Sequence, residues 1–172
     1  VNFNSPQKFE NKDESLFALL GGEQKLDGGR ELRRVGRCLE WLYPDDLERA
    51  VGRETKIEEL TKLLDKSDQR PVVLIGKSQV GKSNLINEYV FRKASKPKKH
   101  RADERLTFLI SPQRLISGMS YVGQWENRLT AILTEAKLRR HLLYFDDLLG
   151  LFFAGVSANS DLNVGQVLKP YL

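Results

Sequence analysis

Apolar residues recur at two periods along this chain, and the alternation of those periods predicts an α/β domain. Leu32, Val35, Leu39 and Leu42 stand at helical spacing, which predicts one helix over residues 29–42. Tyr43-Pro44-Asp45-Asp46 breaks it, and Ile57, Leu60, Leu63 and Leu64 form one face of a second helix that begins near Glu54. Residues 67–70 read as a turn, Val72-Val73-Leu74-Ile75 as a short apolar strand, and residues 84–91 as helix. Residues 106–110 read as a second strand, and Ser111-Pro112 as the N-cap and first position of a short helix. A longer helix is predicted over about 123–139, burying Trp125, Leu129, Ile132, Leu133 and Ala136. Residues 141–146 read as a third strand, 154–163 as a loop of small and polar residues, and 164–172 as the start of one more helix. Strands alternating with helices predict a parallel sheet covered on both faces. Residues 1–27 are polar and weakly periodic; only 16–20 looks helical, and Gly21-Gly22 stops it. There are no internal repeats.

The first strand leads into Gly76-Lys77-Ser78-Gln79-Val80-Gly81-Lys82-Ser83, a GxxxxGK(S/T) phosphate-binding loop between a strand and a helix. Its glycines let successive backbone N–H groups turn toward phosphate oxygens, and the helix amino end behind them favours an anion. Lys82 is expected to reach the β- and γ-phosphates, and the Ser83 hydroxyl to ligate Mg²⁺. The third strand supplies the second half of such a site. Leu142-Leu143-Tyr144-Phe145 followed by an acid is the Walker B arrangement, in which a buried strand delivers a carboxylate close to the metal. Asp146 is read as the metal carboxylate and Asp147 as the residue that polarises the attacking water. The alternative for Asp146 is a cap on the helix beginning at Leu148. Residues 76–87 also look like the loop of translation-type GTPases. However, no NKxD guanine-specificity motif follows, and Asn11-Lys12-Asp13 lies on the wrong side with the wrong spacing. ATP is therefore the expected nucleotide.

Composition narrows the partners. The chain has 172 residues, 40% of them hydrophobic and 30% charged, which suits one soluble domain with a real core. The longest apolar stretch, 142–155, is too short for a membrane span and holds Asp146 and Asp147. No signal peptide is visible at Val1, and without a Met there the chain reads as a piece of something longer. Cys38 is the only cysteine, so no intrachain disulfide is expected and a reducing cytoplasm is the natural location. His100 and His141 lack neighbours at metal-ligand spacing, which argues against zinc. The net charge of +5 is concentrated in Arg92, Lys93, Lys96, Lys98, Lys99, Arg101 and Arg105. That stretch reads either as a solvated loop or as a nucleic-acid patch. It has no aromatic residue between Lys93 and Arg105 for stacking, so nucleic acid is not expected as a partner.

Further motifs carry a family resemblance. Val51-Gly52-Arg53-Glu54 is similar to the VGRE box of Clp-type AAA+ unfoldases and disaggregases, and the loop at 76–83 fits their first ATPase domain. Residues 115–129, with Tyr121-Val122-Gly123, Glu126, Arg128 and Leu129, resemble the family's LIAGxxYRGEFExRL. Phe145-Asp146-Asp147, Ala154-Gly155 and Val167-Leu168-Lys169-Pro170-Tyr171-Leu172 continue the match, which covers about 29–172. The YxGxxExRL segment is its specific part. The resemblance implies a P-loop NTPase three-layer α/β sandwich with a parallel sheet, the AAA+ large subdomain. Residues 1–28 would then be a polar flank or linker, and 29–172 a partial large subdomain that stops before the sensors, arginine finger and helical lid.

The implied roles follow position by position. Val51 and Gly52 would lie beside adenine, and Gly76, Lys77, Ser78, Gln79, Val80, Gly81, Lys82, Ser83 and Asn84 would surround the phosphates of ATP. Ser83 and Asp146 would hold Mg²⁺. Tyr121, Val122 and Gly123 would form an axial pore loop that grips protein clients threaded through a homo-oligomeric ring, usually a hexamer. Packing of Tyr121 against the helix containing Trp125 is the alternative. Three positions depart from the family pattern. Gln79 stands where Gly is usual, Asp147 is one methylene shorter than the usual Glu, and Val122 replaces the pore-loop Arg. The expectation is therefore an ATPase that turns over poorly as this piece alone, with a nucleotide-binding scaffold of little activity as the alternative.

Overall fold

Asp27 opens the first helix: its carboxylate Oδ1 accepts the Gly29 N–H at 2.9 Å and the Arg30 N–H at 3.1 Å, satisfying two amides that a helix start leaves free. The computed structural model describes residues 26–67, 70–96, 105–119, 122–156 and 160–172, with the side chain of Val122 excepted. Within them, helix α1 (Gly28–Val35) leads into strand β1 (Gly36–Cys38) and a 3₁₀ turn (Leu39–Leu42). Helices α2 (Glu54–Leu64) and α3 (Lys82–Ala94) follow, then β2 (Thr107–Ile110), α4 (Pro112–Ile116), α5 (Val122–Arg139) and β3 (Leu142–Phe145). The short helices α6 (Gly150–Phe153) and α7 (Val164–Leu168) and a 3₁₀ turn (Lys169–Tyr171) complete the described order.

The sheet has the order β1-β2-β3, and its alternating side chains divide the interior in two. Phe108, Ile110, Leu143 and Phe145 face a cluster built with Leu32 and Val35 of α1, Leu129, Ile132 and Leu133 of α5, and Leu151, Val164 and Leu168. Leu109, Leu142 and Tyr144 face the other cluster, with Leu60 and Leu64 of α2 and Ile86, Tyr89 and Val90 of α3. Helices thus cover both faces of a small sheet. Each fully buried Leu or Ile, such as Leu129 and Ile132, contributes about 1.5–3 kcal/mol relative to exposure. Helix α1 crosses α5 at Gly28, where a Cβ would stand 2.1 Å from the Ala131 carbonyl oxygen. No other residue fits that crossing.

The long helix α5 buries all five residues its pattern predicts, and Ser111-Pro112 opens α4 as expected. Four expectations are corrected. The single helix over 29–42 is a helix, a strand and a 3₁₀ turn. Leu32, Val35 and Leu39 are still buried, but Gly36 lies so close to Phe108 and Ile110 that the chain joins the sheet instead of turning again. Second, the sheet is mixed: β2 and β3 are parallel, with Leu109 opposite Tyr144, whereas β1 runs antiparallel to β2.

The third correction is at residues 72–75, which form no strand among the described residues. Val72 and Leu74 are half-buried while Val73 and Ile75 are exposed, so the period-two pattern is present without a hydrogen-bonded partner. An apolar run sets which side chains turn inward, but a ladder needs a neighbouring strand. Last, Leu63 is exposed, because Ile57, Leu60 and Leu64 fill the inward stripe of α2 and Leu63 lies beside it.

Candidate nucleotide site

Residues 76–80 are all exposed, and the loop is shaped by two left-handed residues, Gln79 at φ 62° and Gly81 at φ 85°. Gly81 adopts this conformation without penalty; Gln79 carries a Cβ there, which costs roughly 1–2 kcal/mol. Lys82 then begins α3, and its Nζ folds back to donate to the carbonyls of Gly76 at 3.0 Å and Lys77 at 2.8 Å. The cap residue of α3 is Gly81, with no side chain to occupy the first amides of the helix, among them those of Ser83 and Asn84. An exposed loop, an ammonium folded onto it and an uncapped helix amino end together suit a polyphosphate.

Ser83 Oγ lies 3.2 Å from Tyr144 Oη, so the first turn of α3 abuts the end of β3 that carries Asp146. The structure therefore brings together the loop and the third strand, although they are far apart in sequence. Asp146 is exposed just beyond the strand. A serine hydroxyl and a carboxylate are hard oxygen donors of the kind Mg²⁺ takes, with phosphate oxygens and water completing the shell. Three or more His, Cys, Asp or Glu side chains do not gather into a metal cluster among the described residues.

Asp147, and not Asp146, bonds to the start of the following helix, whose N-cap residue is Leu149. Its Oδ1 accepts the Gly150 N–H at 2.8 Å at the start of α6, and a Cβ on Gly150 would meet Oδ2 at 2.4 Å. The carboxylate is thus held against the following turn. Val51 is exposed and Gly52 is left-handed at φ 68° in the segment before α2. That segment is tethered to α3 by Arg49, which donates to Glu88 through Nε at 2.6 Å and Nη2 at 3.0 Å and covers the Phe91 ring at 3.5 Å. Glu88 is itself buried and also accepts from Arg92 at 2.9 Å. The Arg49 hydrogen bonds, helped by Arg92, outweigh burial and hold its carboxyl at about 2. Sequence reasoning missed Arg49, Glu88 and Tyr144. Only Tyr144 gave a signal, a polar tip within an apolar strand.

Tyr121 and Ser120 lie outside the described residues, as does the side chain of Val122. Gly123 is exposed, and a Cβ there would meet open space. Arg128, just under one helical turn from buried Trp125, donates through Nε to Glu31 at 2.8 Å and through Nη1 to the carbonyls of Leu115 at 2.9 Å and Ser117 at 3.0 Å. It pins the segment that leads to Tyr121. Of the basic stretch, Arg92 pairs with Glu88, Lys93 with Glu40 at 2.8 Å and with the Arg105 carbonyl, and Arg105 Nη1 with the Leu64 carbonyl at 2.6 Å. These cations serve internal contacts; residues 97–104, with Lys98, Lys99 and Arg101, lie outside the described residues. Burial, with Glu40 alongside, pushes the Cys38 thiol up to about 11, which makes it a poor nucleophile. No helix among the described residues is long and apolar enough to cross a membrane.

No protein-family model matches the chain. Curated proteins do, and they bear out the resemblance to Clp-type ATPases. The chain is 29% identical over 171 residues to the chaperone protein ClpB of Bacillus cereus (strain ATCC 10987 / NRS 248), covering 95% of this chain and 20% of that one. It is 30% identical over 124 residues to the chaperone protein ClpB of Lactococcus lactis subsp. cremoris, 71% of this chain and 14% of the relative. It is 25% identical over 122 residues to the ATP-dependent Clp protease ATP-binding subunit ClpE of Bacillus subtilis, 71% and 18%. The chain spans about a fifth of the length of these relatives or less.

Proposed function

We propose that residues 76–83 bind ATP with Mg²⁺, and that the chain is the nucleotide-binding part of a Clp-like, cytoplasmic AAA+ machine that remodels proteins. The observation that carries this reading is the Lys82 ammonium folded over an exposed loop at the uncapped amino end of α3. Lys82 would exchange its loop carbonyls for phosphate oxygens, a stronger charge-assisted contact. Ser83 and Asp146 would hold the metal, which draws charge from the phosphates when bound. Val51 and Gly52 would lie at the base, and Tyr121, Val122 and Gly123 would meet protein clients within a homo-oligomeric ring, with residues 29–172 as part of the large α/β subdomain. The similarity to chaperone proteins named ClpB supports the client class, and the name of ClpE supports ATP.

Calorimetric titration with ATP, ADP and GTP tests the reading. ATP should bind and GTP should compete poorly, and Lys82→Ala should abolish ATP binding; failure of ATP to bind even at millimolar concentration would sink it. A second reading, a scaffold that binds nucleotide and hardly hydrolyses it, is favoured by two observations: the strained Gln79 and the engagement of Asp147 with the Gly150 amide. Turnover by the chain within its oligomer, set against Asp147→Asn, separates the two. A rate unchanged by that substitution argues for the scaffold.

A further inference from the structure

Tyr144 carries a hydroxyl that its place in the fold does not need. Its ring is half-buried beside Leu142 on one face of β3, packed with Val72, Leu74 and Leu85 against the second apolar cluster, and a phenylalanine would fill that seat equally well. The phenolic oxygen lies 3.2 Å from Ser83 Oγ. Ser83 is the second residue of α3, behind a cap residue without a side chain. Among the described residues, Tyr144 is the one side chain that hydrogen-bonds this serine.

We propose that Tyr144 is a positioning residue for the magnesium limb of nucleotide binding: its phenolic oxygen accepts a hydrogen bond from the Ser83 hydroxyl and leaves the Ser83 lone pairs turned toward the cation. The proposal rests on the reading of Ser83 as a magnesium ligand. A hydroxyl has one proton and two lone-pair sites, and the proton rotates to suit its partners. A metal ligand must keep its proton away from the cation, so an acceptor fixed on the far side selects the useful orientation before binding. Tyr144 can be that acceptor because its ring is packed and has only two rotatable bonds, so little freedom is lost in holding the oxygen in place. Its own proton is free to point to solvent at the exposed rim. Asp146 leaves β3 two residues further on, so the strand that supplies the carboxylate also sets the serine.

The test is calorimetric titration of ATP into the full chain, once with magnesium chloride and once with EDTA, for the unaltered protein, Tyr144→Phe and Ser83→Ala. Tyr144→Phe should bind ATP in EDTA as the unaltered chain does and lose about three- to tenfold of the affinity that magnesium adds, the worth of one hydrogen bond. Ser83→Ala should lose most of that gain. If Ser83→Ala loses it while Tyr144→Phe keeps it or exceeds it, the role of Tyr144 is overturned and the site reading stands. Equal losses with and without magnesium in Tyr144→Phe mark a packing role and also overturn it. A gain left intact by Ser83→Ala, or no ATP binding by the unaltered chain, overturns the reading of Ser83 and the role of Tyr144 together.

Discussion

Arg128 and Lys82 are the cations of two sequence motifs, and they sit in opposite surroundings. Arg128 is 1% exposed, and its guanidinium is divided among the Glu31 carboxylate and the Leu115 and Ser117 carbonyls. Lys82 rests on two carbonyls of a loop that is itself exposed. Around Arg128 the chain closes on itself: Leu115 and Leu129 are fully buried, and Gly28 admits α1 onto α5. Around Lys82 it stays open, with a left-handed Gln79 and an uncapped helix. A motif can therefore mark either a fold contact or a site held ready for a ligand, and burial of its charged group tells the two apart.

Removing each cation in turn separates the two surroundings most sharply. Arg128→Met should cost about 3 kcal/mol of unfolding free energy, because buried Glu31 then keeps only the largely exposed Arg34 at 3.8 Å. Lys82→Ala should change stability by no more than about 0.5 kcal/mol. Urea denaturation of both variants checks it. Equal shifts in midpoint would show that the loop is as much a part of the fold as the Arg128 contact.

Glu88 stands between the extremes. It is buried on α3, yet Arg49 and Arg92 keep 48% and 41% of their side-chain surface in solvent. Its folded value of about 2 lies below the ordinary value of 4.5, so the stability it contributes is present above pH 4.5 and is lost as pH falls through about 2. With the guanidiniums partly screened, we expect about 1–3 kcal/mol from this source. Glu88→Gln should lower stability at pH 7 by that amount and flatten its decline between pH 4.5 and 2.5. An unchanged acid limb would assign the dependence to other carboxylates.

His141 gives a smaller effect at higher pH. Its Nδ1 accepts the Leu106 N–H at 3.2 Å, which requires a neutral ring, and burial holds the imidazole below its ordinary 6.5. The contribution is complete above pH 6.5 and declines as pH falls below it, by at most about 1.4 kcal/mol per pH unit. Thermal melts at pH 7.5 and 5.5 should show this decline, and His141→Asn should remove it. The same decline in that variant would exclude His141 as its origin.

What was legible in the sequence divides along similar physical lines. Helix α5 could be read from its own eighteen residues, because a helix satisfies its backbone internally and shows its buried stripe locally. Residues 36–38 and 72–75 could not, since a strand is defined by a partner elsewhere in the chain. The loop at 76–83 was legible because its residue types are fixed by the phosphates they would hold. The contacts that surround it were not. Arg49 to Glu88 spans 39 residues and Ser83 to Tyr144 spans 61, and no local pattern records such pairs; the same holds on the far side of the sheet, where Arg128 to Glu31 spans 97.

Gln79 offers the finest test of the open side. Its φ of 62° costs a side-chain-bearing residue roughly 1–2 kcal/mol, whereas glycine takes that conformation freely and pays about 0.5–1 kcal/mol in unfolded-chain entropy. Gln79→Gly should therefore be neutral or stabilising, by up to about 1.5 kcal/mol, and Gln79→Ala should give no such gain because its Cβ keeps the strain. Denaturation midpoints of the pair isolate the backbone term from the loss of the amide. If glycine destabilises the chain as much as alanine or more, the glutamine side chain has a contact that outweighs its backbone cost. The same variants bear on the ligand: a loop relieved of strain at 79 should bind ATP at least as tightly as the unaltered one. Weaker binding by Gln79→Gly would mean that the left-handed glutamine is part of how this loop holds phosphate.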